Sequence, residues 1–98
     1  MIKHIILWKL KEEYNNGTVK KGIKSGLEGL KGSISGLLEI KVQITKLESS
    51  NVDVMLYSVF ENEESLKHYS TNPIHLEIAN SRIRPFTETR SCIDFYAD

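Results

Sequence analysis

The chain opens on a run of apolar residues that predicts a β-strand. Residues 2–10 are rich in the β-branched and aromatic types that favour extended backbone. Every second residue of such a strand points to the same side of a sheet. From the fourth position onwards this shared face comprises His4, Ile6, Trp8 and Leu10.

The next segment carries an apolar stripe at helical spacing. Its members recur every three or four positions and are Val19, Ile23, Leu27, Leu30 and Ile34. This spacing predicts an amphipathic helix over residues 18–34, with Thr18 as its N-cap. Gly22, Gly26 and Gly29 share one edge of the stripe. These glycines either permit a close approach to a sheet or ligand, or mark a weak helix that depends on packing.

Two further strands and an interrupted second helix follow. Residues 38–47 alternate between apolar and polar types, whereas residues 53–60 are apolar on both faces. Asn62 can cap the second helix, and Asn72 can cap a new helical turn that begins at Pro73. The helical pattern stops at Pro85, and residues 87–96 predict a last strand.

The element order predicts an α+β fold, the ferredoxin-like β-α-β-β-α-β unit, with a four-stranded antiparallel sheet in one domain over residues 1–98. Two helices can cover only one face of such a sheet. Strands one and three are nevertheless apolar on both faces. Because most oligomers are symmetric homo-oligomers, we expect a second copy to cover the open face in a homodimer with a barrel-like core.

Composition narrows the classes of partner. The 98 residues include 13 basic and 13 acidic side chains, so no net charge draws the chain to nucleic acid or to an anionic membrane surface. The longest core-type run near the start is too short for a membrane span or a signal peptide. The single cysteine, Cys92, fits a reducing compartment. We expect a cytoplasmic protein with no nucleic-acid and no membrane partner.

The segment from Tyr69 to His75 is the strongest candidate for chemistry. Pro73 forces a break in the helix between these two residues, so both side chains can leave the packed stripe. A phenol and an imidazole form a usable pair for proton transfer near neutral pH. His4 in the first strand either orients a ligand or is a satisfied core histidine.

No cofactor and no metal site is expected. The histidines lack metal-ligand spacing, Cys92 lies far from them in the sequence, and no glycine-rich phosphate loop follows a strand. His68 is expected at the surface.

Several segments together resemble the stress-responsive A/B barrel domain (Dabb) family along essentially the whole chain. These segments are the opening Ile2-Lys3-His4-Ile5, the link Ile34 to Leu37, the Tyr69, Pro73 and His75 pattern, and Ile83-Arg84-Pro85-Phe86. The resemblance implies a dimeric α+β barrel. It also implies, by similarity to a plant polyketide cyclase of the family, catalytic roles for Tyr69 and His75 and a ligand-binding role for His4.

Three functions are therefore open. The first is a homodimeric barrel that binds a small, mostly apolar ligand between the sheet and the second helix, near His4, Ile6 and Trp8. The second is a cofactor-independent enzyme that uses Tyr69 and His75 for an intramolecular aldol condensation. The third is a purely structural homo-oligomer, in which side chains fill the cavity.

Overall fold

The computed structural model describes residues 1–97 and contains a four-stranded antiparallel sheet with helices on one side. The strands are β1 (Ile2–Leu10), β2 (Leu37–Gln43), β3 (Val54–Phe60) and β4 (Thr87–Tyr96). Their order across the sheet is β2-β3-β1-β4. The helices are α1 (Gly17–Glu28), α2 (Glu63–Thr71) and α3 (Pro73–Ile78). This is the predicted ferredoxin-like order, and the fold class is confirmed.

Helix α1 is shorter than its apolar stripe. Asn16, rather than Thr18, is the N-cap, and its side chain accepts a hydrogen bond from the backbone N–H of Val19 at 2.9 Å. The helix ends at Glu28, because turns follow in which Gly32 has φ +86°, a conformation that costs glycine little. The prediction of one helix through residue 34 is wrong. The last residues of the stripe, Leu30 and Ile34, lie in this turn segment, and their side chains are still buried in the core.

One of the glycines in α1 is a point of close approach. A Cβ atom on Gly26 would lie 2.9 Å from Cγ2 of Ile78 and 3.1 Å from Cδ of Arg82. At Gly22 an added Cβ would meet nothing within 4 Å. Close packing of α1 therefore accounts for Gly26 but not for Gly22, and the neighbour is the helical segment after Pro73 rather than the sheet.

The break after α2 is built from the predicted residues. Asn72 has extended backbone, and its side chain accepts a hydrogen bond from the backbone N–H of Ile74 at 2.8 Å, with Pro73 in the first turn of α3. The Asn62 side chain caps α2 by accepting from the backbone N–H of Ser65 at 2.9 Å. Both predicted caps are confirmed.

The helical segment after α3 changes its hydrogen-bond pattern twice. Residues Ala79–Ile83 form a π-helical turn, and Arg84–Phe86 form a 3-10 turn that leads into β4. Pro85 lies at the start of this 3-10 turn, where no helical hydrogen bond requires its missing backbone N–H. Turns of the π type often occur at functional sites.

A buried carboxylate ties the end of β1 to two loops. Asp53 Oδ2 accepts from the backbone N–H of Leu10 at 2.8 Å, and Asp53 Oδ1 lies 2.7 Å from Lys46 Nζ and 3.1 Å from Asn15 Nδ2. Burial alone would raise the pKa of Asp53, but the hydrogen bonds and charge of Lys46 and the Leu10 N–H lower it. These bonds satisfy the carboxylate, so it is a structural group.

The face of the sheet opposite the helices is uncovered and carries a group of apolar side chains, with Lys3 and Lys9 at either end of β1. On this face Ile5 lies in register with Ile93, and Leu7 with Met55. Ile93 is 60% exposed and Phe95 is 42% exposed. No element of residues 1–97 packs over these side chains. In the same range, no helix is long and apolar enough to cross a bilayer.

Candidate active or binding site

A cavity of about 230 Å³ lies between the sheet and the helical layer. Its lining side chains come from all three helices, from strands β1, β3 and β4, and from the π-helical turn. They are Ile6, Trp8, Leu27, Leu56, Tyr69, His75, Ala79, Ile83, Arg84, Thr87 and Arg90. The two candidate residues Ile6 and Trp8 thus line the same cavity as Tyr69 and His75.

Tyr69 and His75 are brought together by the break at Pro73. Tyr69 lies in the last part of α2 and is 1% exposed, while His75 lies in the first turns of α3. Their ring centroids are 4.2 Å apart, with the ring planes tilted by 38°. An uninterrupted helix would carry His75 past Tyr69 along the axis, so the short extended step at Asn72 is what stacks the two rings.

Both rings present a polar atom that the protein leaves unpaired. Within the described range 1–97, neither Tyr69 Oη nor His75 Nδ1 has a hydrogen-bond partner, although both atoms are buried. Buried polar atoms are nearly always paired, and each exception calls for an explanation. Both atoms belong to side chains that line the same cavity, where a polar group of a ligand could pair with them.

The surroundings move the pKa values of the two rings apart. Burial raises the pKa of Tyr69 well above its usual value of 10.0, and the charge of Arg90 opposes this only in part. Burial also lowers the pKa of His75 from its usual value of 6.5, and the charges of Arg84 and Arg90 lower it further, whereas a backbone contact with Ser70 raises it. At neutral pH Tyr69 is therefore a hydrogen-bond donor and His75 a neutral base or acceptor.

The rest of the cavity wall combines apolar side chains with two cations. Arg84 and Arg90 contribute to the lining, with Arg84 Nη1 donating to Asn80 Oδ1 at 2.6 Å, and the remainder is mainly aliphatic and aromatic. Such a wall suits a small molecule with an apolar body and an oxygen-rich or anionic end.

His4 lies beside this cavity rather than in its wall. Its ring contacts the edge of Tyr69, with centroids 6.1 Å apart, and also that of Phe60 at 6.2 Å. Its Nδ1 forms a hydrogen-bonded pair with the Asp94 carboxylate. His4 lines a second cavity of about 420 Å³ between α2 and β4.

Cys92 is closer to a histidine than the sequence indicated. Its Sγ lies 3.7 Å from His4 Nδ1 and 3.6 Å from Asp94 Oδ1. Antiparallel pairing of β1 with β4 places Cys92 opposite Ile6 and Asp94 opposite His4, so residues almost a chain length apart become neighbours. The expectation that Cys92 is remote from the histidines is wrong. His68, by contrast, is exposed as expected and lies 3.7 Å from the Glu64 carboxylate.

Comparison with protein families gives one clear match. The family model described as the stress responsive A/B barrel domain (Dabb) matches residues 2–97. A comparison with curated protein sequences finds no match.

Solved structures with the same fold include proteins described as dimeric. A dimeric protein of unknown function and ferredoxin-like fold from Bacteroides fragilis is 30% identical, with a TM-score of 0.87 over 96% of this chain and 93% of the other. A dimeric ferredoxin-like protein of unknown function from Thermobifida fusca is 20% identical, with a TM-score of 0.86 over 98% and 90% of the two chains. A hydroxynitrile lyase from Passiflora edulis shares the fold at 15% identity, with a TM-score of 0.83 over 99% and 93%.

Proposed function

The chain belongs to the stress-responsive A/B barrel domain family, and from that premise we propose that it is a homodimer that binds a small, mostly apolar ligand in the cavity beside Tyr69 and His75. In this proposal residues 1–98 form a single domain that works in the cytoplasm. Ile6 and Trp8 contact the ligand from the sheet, and the His4 ring packs against the ring of Tyr69.

The observation that carries the proposal is the pair of unpaired buried atoms on one cavity. Tyr69 Oη and His75 Nδ1 both lack a partner among residues 1–97, and both belong to side chains that line the same cavity. Leaving a buried polar atom unpaired costs about 1–3 kcal/mol. A ligand that supplies a hydroxyl or carbonyl oxygen recovers that cost for each group it reaches.

The size and charge of the cavity define the class of ligand. Its volume of about 230 Å³ is below the range of about 300–1,000 Å³ that is typical of pockets for drug-sized molecules. A single ring or a short branched chain fits this space. Because Arg84 and Arg90 belong to the lining, a carboxylate or an enolate oxygen on the ligand is favoured. We therefore infer a small phenolic or keto acid as the ligand class.

The homodimer in the proposal rests on the uncovered apolar face of the sheet. Ile5 and Ile93 are paired across β1 and β4 on that face, and Ile93 is 60% exposed. Single exposed apolar residues are ordinary, but a contiguous patch on a sheet usually marks an interface. The related protein from Bacteroides fragilis is described as dimeric. Packing of two such faces would give the barrel-like core.

Binding of 4-hydroxybenzoate tests the ligand proposal. This probe has one apolar ring, a carboxylate for the arginines and a hydroxyl for the Tyr69–His75 pair. Tyr69→Phe and His75→Ala each remove one hydrogen-bonding group, worth about 1 kcal/mol, so we expect the Kd to rise roughly fivefold to tenfold in each variant by isothermal titration calorimetry.

Matched controls separate the cavity from the rest of the surface. Tyr57→Phe removes a hydroxyl on the opposite face of the sheet, and His68→Ala removes an exposed imidazole. Both controls should bind the probe as the wild type does. Saturable binding that is equally strong in all four variants would refute the assignment of the cavity. The absence of any binding would leave the structural homo-oligomer as the better account.

A second candidate function follows from the opposite pKa shifts of the two rings. A neutral His75 can remove a proton from the carbon next to a ketone, and the resulting enolate carbon then attacks a second carbonyl of the same chain. A new carbon–carbon bond forms while the π bond of the second carbonyl opens, and Tyr69 donates a hydrogen bond to the alkoxide oxygen that results. The protonated His75 then returns its proton to this alkoxide. This is the intramolecular aldol step of a polyketide-cyclase-like enzyme. It needs no cofactor.

Turnover of a linear polyketide distinguishes this enzyme from a binding protein. If the wild type cyclises a short linear triketide or tetraketide, His75→Ala should lower kcat by about 10²–10⁴-fold, the usual contribution of a general base. Tyr69→Phe should lower kcat as well, since the hydrogen bond to the oxyanion is lost. A wild type that binds the compound without cyclising it would rule out this candidate and leave the binding proposal intact.

A further inference from the structure

A second cluster of reactive side chains lies on the helix side of the sheet, outside the cavity of Tyr69 and His75. It consists of His4 on β1 and Cys92 and Asp94 on β4. One nitrogen, one sulfur and one carboxylate oxygen from these residues lie within 4.8 Å of one another. His4 is buried, whereas Cys92 and Asp94 are exposed to the neighbouring space.

The separations within the cluster suit a tetrahedral metal ion. Cys92 Sγ lies 3.7 Å from His4 Nδ1 and 3.6 Å from Asp94 Oδ1. For tetrahedral Zn²⁺, bond lengths of about 2.3 Å to sulfur and about 2.0–2.1 Å to nitrogen or oxygen give ligand–ligand separations of roughly 3.3–3.6 Å. Two of the three separations among these donor atoms, those that involve Cys92 Sγ, are thus already near these values. The third separation, between His4 Nδ1 and Asp94 Oδ1, must widen. It does so when these two groups exchange their direct hydrogen bond for bonds to the ion.

We propose that His4, Cys92 and Asp94 form a binding site for a divalent transition-metal ion, with Zn²⁺ as the preferred occupant. The donor set is one imidazole, one thiolate and one carboxylate, a combination that favours zinc over the hard ions Mg²⁺ and Ca²⁺. Thiolate and carboxylate together bring two negative charges, which balance the charge of the ion. These three ligands do not line the cavity of the proposed function, although Arg90 belongs to the walls of both cavities.

The backbone places these ligands with little freedom. The register of β1 and β4 pairs His4 directly with Asp94, and Cys92 stands two residues earlier on the same strand face. His4 is held further by edge contacts with Phe60 and Tyr69. The short distance between the three ligands is therefore fixed by the sheet and does not depend on a loop.

One coordination position would face open space. The cluster lines the cavity of about 420 Å³ between α2 and β4, whose wall also includes Glu63, Lys67 and Arg90. With three protein ligands, a fourth position remains for water or a small ligand, the arrangement typical of catalytic rather than structural zinc. Arg90 also lies close to Cys92 and weakens the attraction for a cation, although it would favour an anionic fourth ligand.

Cobalt substitution tests the site with a readout that reports the thiolate directly. The full chain, purified without metal, is titrated with Co²⁺, and Zn²⁺ is then added as competitor. We expect one Co²⁺ per chain, with a sulfur-to-cobalt charge-transfer band and strong visible bands of a four-coordinate ion. Zn²⁺ should displace the cobalt, and Mg²⁺ should not.

Variants at the two exposed ligands decide the assignment. Cys92→Ala should abolish the charge-transfer band, and both Cys92→Ala and Asp94→Asn should weaken Zn²⁺ binding by at least about tenfold, since even the loss of an outer-shell partner has that effect. The matched controls Ser91→Ala and Glu88→Gln alter neighbouring residues of β4 and should bind like the wild type. Circular dichroism verifies that each variant is folded.

Two results would overturn the proposal. One is a wild-type chain that shows no saturable binding of one metal ion with a thiolate band. The other is zinc affinity that is unchanged in folded Cys92→Ala and Asp94→Asn, because the metal would then bind elsewhere. In either case the His4–Asp94 pair is only the hydrogen bond that satisfies a buried histidine.

Discussion

Replacing Leu27 by alanine is expected to destabilise the protein by about 2–5 kcal/mol, the usual cost of removing a large aliphatic side chain from a core. Leu27 is 1% exposed and lies at the centre of the apolar stripe of α1, where it packs towards the sheet. It also borders the cavity beside Tyr69, so its truncation enlarges that space. Urea titration monitored by circular dichroism measures the loss.

Lys21→Ala provides the control on the same helix. Lys21 is exposed in the middle of α1, and a surface substitution of this kind changes stability by no more than about 0.5 kcal/mol. A loss below about 0.5 kcal/mol for Leu27→Ala would show that α1 does not rest on the sheet through this face.

Replacing Ile93 by aspartate is expected to convert the protein from a homodimer to a monomer. Ile93 lies on the edge strand β4, on the uncovered face and opposite Ile5, and a two-fold interface over this face would bury the new charge against apolar partners. The interface in the wild type should bury more than about 1,200 Å² in total. Sedimentation velocity at micromolar concentration measures the change.

Ile74→Asp is the matched control for the interface. Ile74 is 49% exposed on α3, in the helical layer, and contributes to neither cavity wall. This variant should remain a dimer. A wild type that sediments as a monomer, or an Ile93→Asp variant that stays dimeric while folded, would contradict the proposed interface.

The fold could be predicted from the sequence because its signals are local. The first strand covers residues 2–10, as its pattern predicted, and Asn62 and Asn72 cap the helices that follow them. The prediction that α1 extends to residue 34 is wrong for a physical reason. Leu30 and Ile34 continue the helical spacing and are buried, but they reach the core from turns after Gly29, so burial persisted beyond the helix.

The candidate sites could be predicted only where the chain itself brings residues together. Tyr69 and His75 are six positions apart, and a proline between them signals the jog that stacks their rings. The grouping of His4 with Cys92 and Asp94 depends on strand register across the whole chain. The spacing of residues along one sequence does not contain that register, so this cluster was missed.

The central claim is that the cavity lined by Tyr69 and His75 is a ligand site, and the location of a bound probe tests it most directly. Methyl groups of isoleucine and leucine are labelled with carbon-13, and their chemical shifts are followed by NMR while 4-hydroxybenzoate is added. Ile6, Leu27 and Ile83 line the cavity beside Tyr69 and His75, whereas Ile5 and Ile93 lie on the opposite face of the sheet. We predict saturable shifts of the first three methyl signals and constant signals for the last two. Shifts confined to Ile5 and Ile93, or no saturable shift at any methyl group, would contradict a ligand site in this cavity.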